Sequence, residues 1–296
     1  MKIKKYKIEF IKKLFGIKDL TLFVRRFMQN IEKLFYKESY NADDIINVLK
    51  ELGVKPGRPI IVHSAMHNFY NYKGTAEELI NRLLEYIGPE GTLCMPAFPY
   101  DKRNEMSIFD VRNSKSSAGY LTEIFRMYPG VKRSLNQLES VCALGKDADR
   151  IVSDHQNSRI SFDEHSPFYI IGQLGGYSIN LGLPKWFVGT GGHVSEALLY
   201  DSCRYFQDKF STPVEFTYID NDGNEFKHTM LTRMKQPYVR EKSTSIFDKY
   251  FDKTMYGRRR LSNIWISYYD MQYLYTKLYN LGKQGITIFK YPKFYI

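Results

Sequence analysis

The spacing of apolar and polar residues in the early part of the chain predicts helices that alternate with short buried strands. Residues 42–53 carry apolar side chains every three or four positions, as an amphipathic helix does, and Asn41 provides a polar start for it. The apolar runs at 60–63 and 92–96 are typical of strands that are buried on both faces. Between them, residues 76–87 again show helical spacing. A strand, a helix and a strand in this order predict a βαβ unit, and therefore a parallel sheet covered by helices.

Further along the chain, the same patterns predict a helix near 119–127 and a strand near 177–181. Residues 214–232 predict a hairpin, because two alternating runs flank a turn of Asp, Asn and Gly. The fold class that we predict is therefore α/β, with a helix-covered central sheet that is mostly parallel, an antiparallel hairpin and a helical N-terminal extension. We expect a basic amphipathic extension over residues 1–40 and a single domain over 41–296.

The chain has 43 lysine and arginine residues against 32 aspartate and glutamate residues, a net charge of +11. Residues 1–40 hold eleven of the basic and four of the acidic residues, so most of the excess lies in the N-terminal extension. A charge of this size raises the question of a nucleic-acid partner. The sequence contains no recognisable nucleic-acid-binding motif, so we expect no such partner.

The extension also carries an apolar stripe at roughly helical spacing beside its basic residues. The stripe consists of Ile8, Ile11, Leu14, Phe15, Leu22, Phe23, Phe27, Ile31, Leu34 and Phe35. Packing of this helix on the body or on a partner subunit is the simplest interpretation, and an exposed stripe favours a homo-oligomer. A basic amphipathic helix also suits the surface of an anionic membrane, and this alternative stays open.

The composition is that of a globular chain, with 43% hydrophobic residues. No apolar run approaches the roughly 18 residues of a membrane-spanning helix, and the lysine-rich start lacks the apolar core of a secretory signal. We therefore expect a cytoplasmic protein, with contact at the inner face of the membrane as the alternative for the extension.

The cysteines and histidines do not indicate a metal site. The sequence has three isolated cysteines, Cys94, Cys142 and Cys203. Without a Cys-x-x-Cys pair we expect neither a disulfide framework nor a cysteine zinc site, and the first two lie in apolar runs that predict core packing. The spacing of His155, His165 and His193 matches no standard ligand pattern, so we expect no bound metal.

The densest cluster of chemically active residues lies at 189–196, which reads Gly-Thr-Gly-Gly-His-Val-Ser-Glu. The glycines allow a ligand to approach the backbone closely. His193 and Glu196 are three positions apart and would share one face of the first turn of a helix. A histidine takes up a proton near neutral pH and a carboxylate can orient it, so the pair is a candidate for acid–base catalysis. On its own, the segment fits a helix cap with a structural histidine equally well.

Other segments are weaker candidates for ligand binding. Residues 114–119 are rich in serine and precede a predicted helix, where hydroxyls and backbone N–H groups can bind phosphate. Arg133 and Ser134 follow on a predicted loop and would add anion contacts. His63 and Ser64 end a predicted strand, and α/β sheets place ligands at that edge.

Nine short motifs occur in a characteristic order between residues 62 and 196. They are Val-His-Ser-Ala-Met at 62–66, Gly-Thr-Leu-Cys-Met-Pro at 91–96, Phe-Asp at 109–110, Gly-Tyr-Leu-Thr-Glu-Ile-Phe-Arg at 119–126, Arg-Ser at 133–134, Ser-Val-Cys-Ala-Leu-Gly at 140–145, Asp-His at 154–155, Ser-Pro-Phe at 166–168 and Thr-Gly-Gly-His-Val-Ser-Glu at 190–196. In this order they resemble the aminoglycoside 3-N-acetyltransferase family, whose members transfer acyl groups from coenzyme A thioesters to amines. The resemblance covers roughly residues 41–205. It implies an acyl-CoA-dependent N-acyltransferase with acetyl-CoA, or another acyl-CoA, as co-substrate.

The resemblance also implies roles for individual residues. It places the catalytic base at His193 with Glu196 as its partner, and it puts Glu123 near the acceptor amine or behind that histidine. The residues that it implies for the pantetheine arm of the coenzyme are His63, Ser64, Ala65 and Met66. Those that it implies for the coenzyme phosphates are Ser114, Ser116 and Gly119, to which the anion argument adds Arg133 and Ser134.

Three positions depart from the family pattern, and they bear on the acceptor. Asn136 and Gln137 stand where His-Pro is usual, and Lys115 stands where a proline is usual. Because aminoglycosides are polycations and this chain is basic, we favour the amine of a nucleotide-linked amino sugar, used in surface-polysaccharide synthesis, as the acceptor. The alternatives are an aminoglycoside acceptor, which implies antibiotic resistance, and a non-catalytic membrane-surface or scaffold protein.

Overall fold

A computed structural model describes residues 20–100, 108–185, 187–233 and 244–288. The helices, in chain order, are α1 (Leu20–Phe35), α2 (Ala42–Glu51), α3 (Ala76–Ile87), α4 (Tyr120–Arg126), α5 (Ala148–Val152), α6 (Pro167–Gln173), α7 (Val194–Leu198), α8 (Arg204–Lys209), α9 (Thr244–Tyr250) and α10 (Met271–Gly282). The strands are β1 (Pro59–Ser64), β2 (Thr92–Pro96), β3 (Ile108–Asp110), β4 (Lys132–Arg133), β5 (Val141–Gly145), β6 (Tyr177–Leu181), β7 (Thr212–Ile219), β8 (Glu225–Thr232), β9 (Tyr256–Leu261) and β10 (Ile264–Asp270). Short 3₁₀ turns lie at Met66–Asn68, His155–Asn157, Thr190–His193 and Tyr200–Ser202.

Seven of these strands form a mixed sheet in the order β4-β5-β2-β1-β6-β10-β9. Strand β1 pairs in parallel with β2 and with β6, so the predicted βαβ unit of β1, α3 and β2 is confirmed. The outer strands pair antiparallel, β5 with β2 and β4 on one side and β10 with β6 and β9 on the other. Five of the seven strands run in the same direction, and the α/β class is confirmed, but parallel pairing is confined to the three central strands.

The link between β9 and β10 shows why the edge is antiparallel. The two strands are joined only by Ser262 and Asn263, and a connection this short cannot return the chain for parallel pairing. Ser262 takes the left-handed conformation that such a tight turn requires, with φ of 47°.

A second, smaller sheet contains the predicted hairpin. It has the order β3-β7-β8, with β3 parallel to β7 and β7 antiparallel to β8. The Asp220 carboxylate accepts the backbone N–H groups of Asp222 at 2.9 Å and Asn224 at 2.8 Å, which closes the turn between the strands. The inner side of this sheet is apolar and buries Phe216 and Tyr218.

Local capping explains where α2 and α3 begin. The Asn41 side chain accepts the Asp44 N–H at 3.1 Å, and the Asp44 carboxylate accepts the Asn41 N–H at 2.9 Å. Thr75 and Glu78 form the same reciprocal pair at 3.1 and 2.8 Å. Each capping box satisfies backbone donors that a helix start leaves without a partner, so both predicted starts are confirmed.

The core lies on both faces of the central strands. Ile60, Ile61 and Val62 of β1 are almost completely buried, as a strand covered by helices on both faces requires. Cys94 and Cys142 lie in the same core as free thiols, and burial raises the pKa of Cys142 to about 12. Their packing role was predicted from the sequence, and it is confirmed.

Helix α1 confirms that residues 20–35 of the extension are helical. The apolar residues Ile8, Ile11, Leu14 and Phe15, which the sequence places on the same stripe, lie outside the described residues. Within the ranges that the structure describes, no helix combines the length and apolar character that a membrane crossing requires. The division into an extension of residues 1–40 and a domain of 41–296 stays a prediction.

Candidate active site

His193 and Glu196 form a buried pair, as their spacing predicts. The 3₁₀ turn Thr190–His193 runs directly into α7, which places the two side chains on the same side of the chain. His193 Nδ1 lies 2.7 Å from Glu196 Oε1. Their side chains are 14% and 3% exposed, so the imidazole has an edge open to a ligand while the carboxylate is enclosed.

The second oxygen of Glu196 forms an ion pair with Lys209, at the end of α8. The Lys209 side chain is only 2% exposed and its ammonium lies 5.7 and 5.3 Å from the ring centres of Phe206 and Phe210. The sequence analysis missed this residue. A lysine between two phenylalanines was the only signal available, and such patterns are common on ordinary helix surfaces.

The electrostatics of this cluster fix the protonation of the histidine. Burial is the main cause that lowers the pKa of His193, to about 4, and the cations Arg233 and Lys209 add to the effect. Burial by itself raises the pKa of Glu196, but the adjacent imidazole and the Lys209 ammonium outweigh it and hold this pKa well below its usual range. At neutral pH the carboxylate is therefore ionised and accepts the Nδ1 proton of a neutral imidazole, so Nε2 carries the lone pair.

Aromatic side chains form one wall beside the histidine. The Phe162 ring lies 5.1 Å from the His193 ring, centre to centre. The Arg233 guanidinium lies over the Phe162 ring at 5.6 Å, and it was not singled out in the sequence. An apolar wall of this kind excludes water from the imidazole and strengthens every charge interaction around it.

His63 holds the turn that carries His193. The Thr190 backbone N–H donates to His63 Nε2 at 3.2 Å, and the Thr190 hydroxyl oxygen lies 2.9 Å from the same nitrogen. Burial lowers the pKa of His63 to about 4, so its imidazole is neutral. Gly189 packs so tightly here, at φ of 78°, that a Cβ would lie 2.9 Å from the His63 ring. The His63 imidazole therefore bonds to the protein's own turn, and its predicted contact with the coenzyme stays a prediction.

The two segments predicted to meet the coenzyme come together at the end of β1. Gly119, at the start of α4, approaches the Ser64 carbonyl so closely that a Cβ added to this glycine would lie 3.7 Å from the carbonyl oxygen. Ser64 and Met66 are half-buried, while Ala65 is 7% exposed. Gly119 has φ of 127°, a conformation that glycine adopts readily, at the point where the serine-rich segment 114–119 leads into α4.

The serines of that segment hold the segment itself in place. Ser116 Oγ accepts the Ala118 N–H at 3.1 Å, and Ser114 Oγ accepts the Asp110 N–H at 3.1 Å. Ser116 is buried and its hydroxyl supports the loop, and its contact with the coenzyme phosphates stays a prediction. Ser114 is half-buried, and Gly119 is exposed, so these two remain candidates.

Glu123 braces the same segment. Its carboxylate accepts the Ser116 N–H at 2.8 Å and receives two hydrogen bonds from Arg126, at 3.0 and 2.8 Å. One of the two roles expected for Glu123 was support of His193, but the carboxylate that contacts His193 Nδ1 is that of Glu196. Proximity of Glu123 to the acceptor amine stays a prediction.

Arg133 and Ser134 lie in the interior and bond to other parts of the protein, and their predicted role as anion ligands stays a prediction. Arg133 is 6% exposed and its guanidinium donates to the carbonyl oxygens of Ala97 and Ser114. Ser134 is fully buried, and its hydroxyl lies 2.8 Å from His155 Nδ1. The sequence predicts a loop here, but Arg133 belongs to strand β4, which turns its side chain into the protein.

A surface cleft of about 250 Å³ adjoins the serine-rich segment. Its lining residues are Pro99, Tyr100, Ile108, Phe109, Ser114, Lys115 and Gln137. Lys115 is exposed at its rim, and Gln137 is a buried part of its wall. Two of the three positions that depart from the family pattern therefore line one cleft, and the third, Asn136, is fully buried.

The histidines considered for a metal site each have a separate partner. His155 contacts Ser134, His165 lies 2.6 Å from Asp154 and His193 is paired with Glu196. Across the described ranges, no three His, Cys, Asp or Glu side chains are grouped so that they could hold a metal ion.

Comparison with known proteins places this arrangement in a family. A family model described as aminoglycoside 3-N-acetyltransferase matches residues 61–276, which include β1, the serine-rich segment and the His193–Glu196 pair. The chain belongs to this family. The expected family is thus confirmed.

Curated relatives match over part of their length. The SPbeta prophage-derived aminoglycoside N(3')-acetyltransferase-like protein YokD of Bacillus subtilis (strain 168) is 28% identical over 128 residues, which cover 36% of this chain and 47% of that protein. Aminoglycoside N(3)-acetyltransferase III of Salmonella sp is 28% identical over 171 residues, which cover 52% of this chain and 59% of that protein. The chain thus spans about half the length of the curated relatives that it matches.

Solved structures match over most of the fold. The apoenzyme of aminoglycoside acetyltransferase AAC(3)-IVa superposes with a TM-score of 0.67 at 22% identity, covering 86% of this chain and 93% of that one. AAC-IIIb, solved as a binary complex with CoASH, superposes with a TM-score of 0.67 at 19% identity, covering 86% and 100%. At these identities the similarity shows a shared fold.

Proposed function

We propose that the protein is an N-acetyltransferase that moves the acetyl group of acetyl-CoA to an amine of an aminoglycoside-type amino sugar. The observation that carries this proposal is the neutral, half-enclosed His193 held by an ionised Glu196, within the residues that match the family. The curated relatives are named as aminoglycoside acetyltransferases, and one similar structure holds CoASH. This acceptor was the alternative in the sequence analysis, and the comparisons support it better than the nucleotide-linked sugar.

The reaction that we propose is a direct transfer. The neutral acceptor amine attacks the thioester carbonyl carbon, which forms the C–N bond, and His193 Nε2 takes the proton that the amine nitrogen loses. The C–S bond then breaks, and coenzyme A leaves as a thiol with the proton that the imidazole returns. Glu196 stabilises the imidazolium that exists between these two steps, in the way that a buried carboxylate supports a catalytic histidine.

The coenzyme would lie where β1 ends. The proximity of the Ser64 carbonyl to Gly119 supports this placement, because these residues belong to the two segments that the family resemblance assigns to the coenzyme. Of the predicted contacts, Ser64, Ala65, Met66, Ser114 and Gly119 are retained in the proposal. Their backbone groups and the Ser114 hydroxyl supply the polar contacts.

A nucleotide-linked amino sugar remains the second candidate acceptor because of the cleft beside Ser114. Lys115 provides a cation at its rim, and Tyr100 and Phe109 provide aromatic surface for a base or a sugar. A diphosphate would be attracted by Lys115, whereas a polycationic aminoglycoside would gain nothing from it.

Thiol release from acetyl-CoA with two acceptor panels tests the proposal. One panel contains aminoglycosides, and the other contains nucleotide-linked 3-amino and 4-amino sugars. Turnover of aminoglycosides is the expected result, and turnover of nucleotide sugars alone would replace the main acceptor with the second candidate. His193→Ala should lower kcat by about a hundredfold or more with little change in acetyl-CoA affinity. Nearly normal turnover in that variant would remove His193 from the mechanism.

Residues 1–40 add a location to the proposal. We include contact of this basic segment with the inner face of the membrane, because seven of the eleven excess positive charges lie there. Self-association through the same segment is the competing possibility.

A further inference from the structure

Helix α1 packs on the body through its polar side. Gln29 donates to the His67 carbonyl at 2.9 Å, and Glu32 accepts from the Tyr70 hydroxyl at 3.4 Å. Tyr36, just beyond the helix, lies with its ring 3.8 Å from an arginine of β9. These three residues follow one another at intervals of three and four, so they lie on a single side of the helix.

The opposite side of α1 presents large apolar side chains to solvent. Phe23, Phe27, Met28, Leu34 and Phe35 are between 49% and 76% exposed. An amphipathic helix of a globular protein normally turns its apolar side inward, so this orientation is inverted. Contact of such side chains with water is unfavourable, so a row of them points to a surface that covers the helix in the cell.

The net charge of the N-terminal segment indicates the kind of surface. Residues 1–40 hold eleven basic and four acidic side chains, so the segment carries a net positive charge. Self-association through this segment would join two chains that each carry this excess, whereas anionic lipid headgroups neutralise it. We propose that α1 docks the protein on an anionic phospholipid surface through Phe23, Phe27 and their exposed neighbours. This inference rests on the membrane contact proposed above and is independent of the acceptor.

Sedimentation with lipid vesicles tests the docking. The full chain is mixed with vesicles of phosphatidylcholine alone, or of phosphatidylcholine and phosphatidylglycerol in equal parts. Binding is expected for the anionic vesicles only, and it should weaken in high salt. Phe27→Ser should reduce the affinity for anionic vesicles by about tenfold or more, because the serine side chain cannot insert among the lipid acyl chains as the phenylalanine ring does. Met127→Ser, at an apolar residue with 68% exposure outside α1, is the matched control and should bind as the wild type does.

Two results would overturn the docking proposal. The first is equal binding of the wild type and Phe27→Ser, or no binding of either to anionic vesicles. The second is a dimer in solution that Phe27→Ser dissociates, since α1 would then be covered by a second copy. Acetyl transfer to soluble acceptors should be unchanged in Phe27→Ser, so a failure of docking is distinguishable from a failure of the transferase proposal.

A separate observation concerns the buried ion pair behind the catalytic histidine. Lys209 bonds to Glu196 Oε2 while His193 bonds to Oε1, so the carboxylate joins a fixed cation to the imidazole. Among the residues that the structure describes, Arg233 also acts on the charges of this pair. We infer that Lys209 is a positioning residue, because it keeps Glu196 ionised. The ionised carboxylate holds the imidazole proton on Nδ1 and leaves Nε2 free to accept the proton of the acceptor amine. This inference rests on the proposed role of His193.

The pH dependence of the imidazole separates this role from a purely structural one. Removal of the Lys209 charge should let the His193–Glu196 pair take up a proton at higher pH. In Lys209→Met, both the NMR titration of His193 in the free protein and the acidic limb of the kcat/KM profile should move upward by about one pH unit. Lys209→Arg retains a cation and should shift both by less.

The NMR titration does not depend on turnover, so it tests the inference even if the proposed reaction is wrong. An unchanged titration in a folded Lys209→Met variant would overturn the inference. Should that variant fail to fold, the wild type decides the matter, because the inference requires a neutral imidazole protonated at Nδ1 at pH 7. An imidazolium at that pH, or a proton on Nε2, would contradict it.

Discussion

Glu196→Gln is the substitution whose effect on stability follows most directly from the structure. It retains the shape of the side chain but removes the negative charge that faces Lys209, whose side chain is 2% exposed. A buried cation that loses its counter-charge destabilises the folded state by about 3–5 kcal/mol, because the folded protein then holds a charge without compensation. The acetyl-transfer rate should fall as well, by about a hundredfold, because the imidazolium loses its partner.

Urea denaturation measures the stability change, since the midpoint falls in proportion to the free energy of unfolding while the slope stays constant. Glu215→Gln is the control. Glu215 pairs with Lys227 at 3.0 Å, but both side chains are more than half exposed, so this change should cost about 1 kcal/mol or less. The double variant Glu196→Gln/Lys209→Met should regain much of the loss, because it removes the stranded cation as well.

Equal losses in Glu196→Gln and Glu215→Gln would refute the reasoning, since the burial of the ion pair would then have no energetic consequence. A double variant no more stable than Glu196→Gln would refute the explanation by an uncompensated lysine. In that case a packing defect around the glutamine amide would account for the loss.

Three further predictions concern other parts of the molecule. Thr75→Ala should lower the free energy of unfolding by about 1 kcal/mol in denaturant titration, because the capping box of α3 is lost; an unchanged midpoint would contradict that role. Arg133→Met should lower the free energy of unfolding by about 3 kcal/mol or more in the same assay, because the buried guanidinium donates to carbonyl groups that would lose their partner. We expect KM for acetyl-CoA to stay constant. A raised KM with normal stability would instead support the role of Arg133 as an anion ligand. Stability should also fall as the pH drops from about 6.5 towards 4. The pKa values of His155 and His193, about 3 and about 4, lie below the ordinary 6.5, so the unfolded chain binds more protons in this range. At pH 5 each of these histidines should lower the free energy of unfolding by about 2 kcal/mol relative to neutral pH. The melting temperature of His155→Gln should therefore depend less on pH than that of the wild type.

The sequence alone predicted the elements whose causes are local. The capping residues Asn41 and Thr75 lie within three positions of their partners, and the apolar run of β1 is continuous, so both signals can be read along the chain. The His193–Glu196 pair belongs to the same class, because a spacing of three on one turn brings the side chains together. Motif order then identified the family.

Only the tertiary structure decided what the buried polar residues do. Arg133 and Ser134 have the residue types of an anion site, but both are buried, and their partners Ala97 and His155 lie 36 and 21 positions away in sequence. Lys209 lies thirteen positions from Glu196, and no local pattern shows that α8 returns to the active site. The inverted orientation of α1 likewise depends on which of its two sides finds hydrogen-bond partners on the body. The spacing of residues along one helix or strand determines which side chains share a face. Long-range packing determines what surrounds that face, and the surroundings set the pKa and the reactivity of the groups on it.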